Sequence, residues 1–82
     1  MPTAVITEAN LRDGSIDILG LLVSSSLAAS RAEARRNVEQ GGVTVNGEKV
    51  TDVKKTYTPD EIMAEDFVLK RGKKKFCKVV FE

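Results

Sequence analysis

The segment Ser30–Val50, SRAEARRNVEQGGVTVNGEKV, constrains this chain more than any other, because it encodes three successive backbone events. Ser30 and Glu33 have capping-box spacing, so each side chain can satisfy a free amide at the start of a helix. Gly41-Gly42 offers the left-handed backbone that ends a helix without a Cβ clash. Asn46-Gly47, between Val43-Thr44-Val45 and Glu48-Lys49-Val50, is a strong signal for a two-residue hairpin. The segment therefore predicts a helix over 31–40, a sharp stop and a tight antiparallel pair.

A helical wheel at about 100° per residue puts Ala34 and Val38 together as the buried stripe. Arg31 and Arg35 fall side by side next to that stripe, and Arg36 points about 100° further round. In the hairpin, Val43 should pair with Val50, Thr44 with Lys49 and Val45 with Glu48. The valines then face the core and Lys49 faces out. Several guanidiniums beside a helix N-terminus at Ser30, which itself favours a phosphate, suit a phosphate backbone better than a small-molecule pocket.

Eighty-two residues make one domain, which buries only about 60–65% of its unfolded surface and has little room for a deep catalytic cleft. The net charge of +1 is unevenly spread. Lys70–Lys78 carries six bases and no acid, whereas Asp60–Asp66 carries four acids and no base. A dense basic run repels itself, and a polyanion removes that repulsion, so Lys70, Arg71, Lys73, Lys74 and Lys75 are candidate RNA contacts. Gly72-Lys73-Lys74-Lys75 lacks the longer glycine–lysine–serine/threonine pattern of a P-loop and is no ATP site. Asp60, Glu61, Glu65 and Asp66 are explained by helix capping and surface charge rather than by catalysis.

Histidine is absent and Cys77 is the only cysteine, so these side chains assemble no zinc site and no internal disulfide. Cys77 lies in an apolar run and reads as a buried thiol. The longest apolar run, Ile18–Val23, falls far short of the roughly 20 residues of a membrane span. With no signal-like N-terminus, a soluble, reducing compartment fits best. The four aromatics, Tyr57, Phe67, Phe76 and Phe81, show no spacing of a base-stacking platform, which favours recognition of a folded RNA by shape and phosphate geometry.

Residues 1–14 show no sustained period and read as a linker or flexible arm, with the domain proper over 15–82. Ser15 can cap a short helix carrying Ile16, Leu19, Leu22 and Val23, broken by Ser24-Ser25-Ser26. Thr58-Pro59-Asp60-Glu61 offers a cap, a first-turn proline and a capping glutamate for one helical turn through Ala64. Phe67–Leu69 and Phe76–Phe81 read as strands joined through Lys70–Lys75, with Gly72 at the turn.

The block Ser30–Val50 resembles the core of the S-four RNA-binding domain family. With Arg35-Arg36 and the later run LKRGKKKF (Leu69–Phe76), the chain is most similar to the C-terminal domain of bacterial-type tyrosyl-tRNA synthetases. The likeness covers roughly residues 15–81. It implies an α+β, S-four-like (alpha-L motif) fold, with two short helices packed on a small mixed or antiparallel β-sheet. It also implies a non-catalytic appendage of a tyrosine–tRNA ligase that binds the anticodon stem and long variable arm of tRNA. The contacts expected are Ser30, Arg31, Arg35, Arg36, Lys49, Lys70, Arg71, Lys73, Lys74 and Lys75, with Arg31 and Arg35 weighing more than Arg36. No catalytic residue, metal or cofactor is expected in this chain, since ATP would serve only an absent catalytic domain with histidine-containing motifs. The parent would be a homodimer of the cytoplasm or an organellar matrix, the domain alone a monomer without membrane contact. The alternatives are a free-standing ribosome-associated protein of the same family, bound to rRNA, and a protein–protein adaptor using the acidic turn.

Overall fold

The computed structural model describes residues 2–64 and 66–82; Met1 and Glu65, the latter one of the acids considered above, lie outside the described residues. The expectation of a loose arm over 1–14 is corrected at once. Thr3–Ile6 forms strand β1, with Ala4 and Ile6 in the core. Ile16–Asp17 forms β2, and helix α1 follows over Ile18–Ser24. Its cap is Asp17, whose Oδ1 accepts from the Gly20 amide at 2.9 Å, rather than the expected Ser15. The start moves because Ile16 and Asp17 are taken up in a two-strand ladder with Thr56–Tyr57.

Helix α2 spans Arg31–Glu39. Ser30 Oγ accepts from the Glu33 amide at 3.2 Å, and Glu33 Oε2 accepts from the Ala29 amide at 3.2 Å. The capping box thus closes one residue further out than its spacing implies. At the other end Gly41 takes φ +73°, its amide donates to Val38 O, and the Gly42 amide donates to Asn37 O, both at 3.0 Å. This is the Schellman stop that satisfies the last carbonyls of a helix.

Strands β3 (Val43–Val45) and β4 (Glu48–Lys49) flank the turn, where Asn46 and Gly47 have φ of 51° and 86°. Both values are positive, as a type I′ hairpin requires. Thr44 pairs with Lys49 and Val45 with Glu48, as the alternation predicts, and the Val50 amide reaches Val43 O at 3.0 Å. Thr56–Tyr57 is β5, Pro59–Ala64 is α3, Phe67–Arg71 is β6 and Lys75–Phe81 is β7. Thr58 and Glu61 close a full capping box on α3, amide to side chain at 3.3 Å in each direction.

The main sheet runs β1-β7-β6-β3-β4; β1 is parallel to β7 and every other pair is antiparallel. The fold is α+β, three short helices on a mixed sheet, as the expected class required with one helix added. Ala34 and Val38 pack with Ile18, Leu21 and Leu22 of α1 over Val43, Leu69, Cys77 and Val79 of the sheet, all in one core. Tyr57 meets Phe67 edge-on at 5.1 Å near the opposite end. The residues alternating with these core positions, among them Thr3, Val5, Thr44, Val68, Lys70, Phe76, Lys78 and Val80, point to the other side of the sheet, and none of them is buried.

Candidate nucleic-acid interface

The basic run is more ordered than a loop. Arg71 pairs with Lys75 as the last rung of the β6–β7 hairpin, so the connection shortens to Gly72-Lys73-Lys74. Gly72 takes φ +69°, and its amide donates to Gly42 O at 2.8 Å, tying the turn to the chain leaving α2. Lys73, Lys74 and Lys75 are exposed at the tip. Lys70 lies one rung back, paired with Phe76 across the hairpin and with Thr44 on the other side. Thr44 in turn pairs with Lys49, so Lys49 and Lys70 share a row on the face away from the helices. The Lys70 ammonium sits 5.3 Å from the Phe76 ring centroid, within cation–π range.

Three of the candidate arginines are already partnered. Arg71 falls on the helix side of β6, where Nη1 donates to Leu27 O at 3.0 Å and Nη2 lies 3.4 Å from Glu33 Oε1. It clamps the hairpin to the start of α2. Arg31 grips the Asp17 carboxylate with both terminal nitrogens, one donating to Oδ1 at 3.2 Å and the other to Oδ2. The Arg31 guanidinium holds the Asp17 carboxyl below the ordinary aspartate value, and the carboxylate raises Arg31 in return. Arg35 makes a weak, exposed pair with Glu39 at 3.7 Å.

The hairpin tip lies against α2 on the flank carrying Asn37 and Gln40. These two residues line a groove of about 430 Å³ with Gly42, Lys73, Lys74 and Lys75. On the wheel, that flank is on the far side of the buried stripe from Arg31 and Arg35, and Arg36 is turned toward it. Arg36 is exposed and in no ion pair among the described residues. Lys49 lies beside the helix stop: a Cβ added to Gly41 would sit 2.6 Å from its Cε. The ammonium is therefore close to the negative end of the helix dipole. Ser30 is spent on the cap, its Oγ engaged by the Glu33 amide.

The sheet end at which β6 finishes thus gathers Lys49, Lys70, Lys73, Lys74 and Lys75, with Arg36 on the neighbouring helix α2. None of the six is in an ion pair among the described residues. Asn37 and Gln40 were not visible as lining residues in the sequence, because their exposure to the groove depends on where a distant hairpin docks. The Asn37 Nδ2 is buried without a hydrogen-bond partner among the described residues. Cys77 is a buried free thiol pushed up in pKa by its burial, which disfavours the reactive thiolate. Among the described residues no group of three His, Cys, Asp or Glu could hold a metal, and no helix is long and apolar enough to cross a membrane.

Comparison with known proteins meets this geometry from the other side. The family model described as "Tyrosine--tRNA ligase SYY-like C-terminal domain" matches residues 1–79. The chain belongs to the tyrosine–tRNA ligase C-terminal domain family. Among its relatives, the tyrosine–tRNA ligase of Clostridium botulinum (strain Loch Maree / Type A3) is 39% identical over 82 residues, covering 100% of this chain and 19% of the relative. That of Treponema denticola is 37% identical over 82 residues, 99% of this chain and 20% of the relative. The chain therefore spans about a fifth of the length of these ligases. A solution structure of a tyrosyl-tRNA synthetase C-terminal domain superposes with a TM-score of 0.73 at 29% identity, covering 100% of this chain and 79% of that one. The family model begins at the first residue, in keeping with β1 as part of the domain.

Proposed function

We propose that this chain is the RNA-holding portion of a tyrosine–tRNA ligase, binding tRNA along its anticodon stem and long variable arm through phosphate contacts. The observation that carries this reading is the set of lysines Lys49, Lys70, Lys73, Lys74 and Lys75 at one end of the sheet, with Arg36 on the neighbouring helix α2, all six in no ion pair among the described residues. Cations without acidic partners keep their full attraction for a polyanion, whereas Arg31 and Arg71 would first have to break contacts inside the domain. Arg36 therefore ranks above Arg31 and Arg35 as a phosphate ligand, the reverse of the order expected from the helix seam alone. Ser30 and Arg71 support the interface by fixing the start of α2 and the hairpin.

Tethering the tRNA at this surface raises the effective concentration of its acceptor end at a catalytic centre elsewhere in the parent enzyme. The chain itself neither activates tyrosine nor uses ATP, and it acts in the cytoplasm or an organellar matrix as one arm of a homodimeric enzyme. The test is binding to a tyrosine-accepting tRNA transcript with and without its variable arm, across a salt series. If about five of the six cations meet phosphates, log affinity falls against log salt with a slope near about −4. Charge reversal of Lys73 and Lys74 together should weaken binding and make that slope shallower. Wild-type affinity in that variant at low salt, with an intact fold, contradicts the reading.

A further inference from the structure

The groove between the lysine tip and α2 has a wall that phosphate contacts do not use. Asn37 and Gln40 share this concavity of about 430 Å³ with Lys73, Lys74 and Lys75, and both are neutral. They stand three residues apart at the end of α2, a spacing that sets two side chains on one helix face about 5–6 Å from each other. Neither carboxamide has a hydrogen-bond partner among the described residues, although the Asn37 backbone carbonyl is engaged by the Gly42 amide. An uncharged group adds little to the pull on a phosphate that three ammoniums already exert. What a carboxamide brings is a donor and an acceptor on one side chain.

We infer that Asn37 and Gln40 recognise ribose 2′-hydroxyls of the bound RNA, and so set the preference of this surface for RNA over DNA. In a nucleic-acid strand each sugar lies between two phosphates, so a strand whose phosphates rest on the lysines brings its sugars against the carboxamides. A 2′-hydroxyl both donates and accepts, as a carboxamide does, and it is the group that tells RNA from DNA. Base edges fit less well. The major groove of an A-form helix is too deep and narrow for side chains, whereas its shallow minor groove displays the 2′-hydroxyls. The inference rests on the RNA-holding reading above and adds to it a contact that charge alone does not make.

The experiment separates the two. Affinities of wild type, N37A, Q40A and the double variant are measured for a tyrosine-accepting tRNA transcript. They are measured again for the same sequence with fluorine replacing each 2′-hydroxyl, which keeps the A-form helix but cannot donate. Wild type should bind the fluorinated RNA about tenfold more weakly than the transcript. The double variant should bind the transcript about tenfold more weakly than wild type and lose nothing further on the fluorinated RNA. Its salt slope should be unchanged, because a carboxamide releases no counterion. Gln40 is exposed, so Q40A should show its share of the defect with a wild-type melting temperature. The inference is overturned, and the RNA-holding reading left standing, if wild type binds both RNAs equally or if the double variant still loses tenfold between them. Failure of the wild-type chain to bind either RNA overturns the underlying reading and the hydroxyl contacts with it.

Discussion

Asp17 works in two directions at once: it caps α1 through the Gly20 amide and anchors Arg31 at the start of α2. Only the second needs the carboxylate; the cap needs just a side-chain oxygen, which asparagine also offers. The hydrogen bond from Arg31 is the largest cause of its lowered pKa, ahead of the opposing effect of burial. For a carboxyl whose folded pKa lies below its unfolded value, the stabilisation is present above the unfolded value. It is lost as pH falls through the folded one. The Asp17 contribution should therefore hold at neutral pH and disappear on acidification below its ordinary value of 3.8. The pair is partly exposed, so the effect is modest, below about 1 kcal/mol. D17N should lower the melting temperature at neutral pH and narrow its gap to wild type as the solution is taken below pH 3.8. A constant gap across that range would show that the charge is not what matters. The ion pair could not be read from the chain, because Asp17 and Arg31 meet only when α1 and α2 dock.

The elements legible in the sequence are those whose signals are local. Ser30 with Glu33, Gly41-Gly42, Asn46-Gly47 and Thr58 with Glu61 each act within a few residues, and each lies where its chemistry points, except that Glu33 reaches back to the Ala29 amide rather than to Ser30. The helix seam of Ala34 and Val38 followed from period alone. Strand β1 did not, since Ala4-Val5-Ile6 is too short to display a period and its partner β7 is at the other end of the chain. The two-residue ladder of β2 with β5 is similarly invisible, and it displaced the expected cap from Ser15 to Asp17. The basic hairpin was half legible: its strands and turn glycine were expected, but not that Arg71 would be turned inward to Glu33 and Leu27 O. Docking of β1 has a direct test. Ile6 is fully buried, so I6A should cost about 2–4 kcal/mol and lower the melting temperature by well over ten degrees. A loosely attached arm would tolerate the same change with no shift.

At the scale of the whole molecule, the sheet separates charge. Strand β6 starts beside Asp66 and the acidic turn of α3 and ends at the lysine-rich tip, in a body measuring 28 × 25 × 20 Å. At physiological ionic strength the screening length is about 8 Å, so the two ends act almost independently. At about 10 mM salt it approaches about 30 Å, comparable to the molecule itself. Neutralising the acidic end with D60N and E61Q should then leave RNA affinity near wild type in physiological salt. The same variant should bind more tightly at low salt, where the acids are felt across the domain. Salt titration of both proteins in parallel checks this; equal affinities throughout would mean that the acidic end is too remote to be sensed.

This separation also gives the molecule a direction before it touches anything. A body with a lysine-rich tip at one end of β6 and Asp66 with the first-turn acids of α3 at the other experiences a torque in the field of a polyanion, and it turns its lysine tip forward as it diffuses. Fewer collisions are then wasted on the wrong face. A domain carrying a net charge of only +1 can in this way be captured as if it were much more basic.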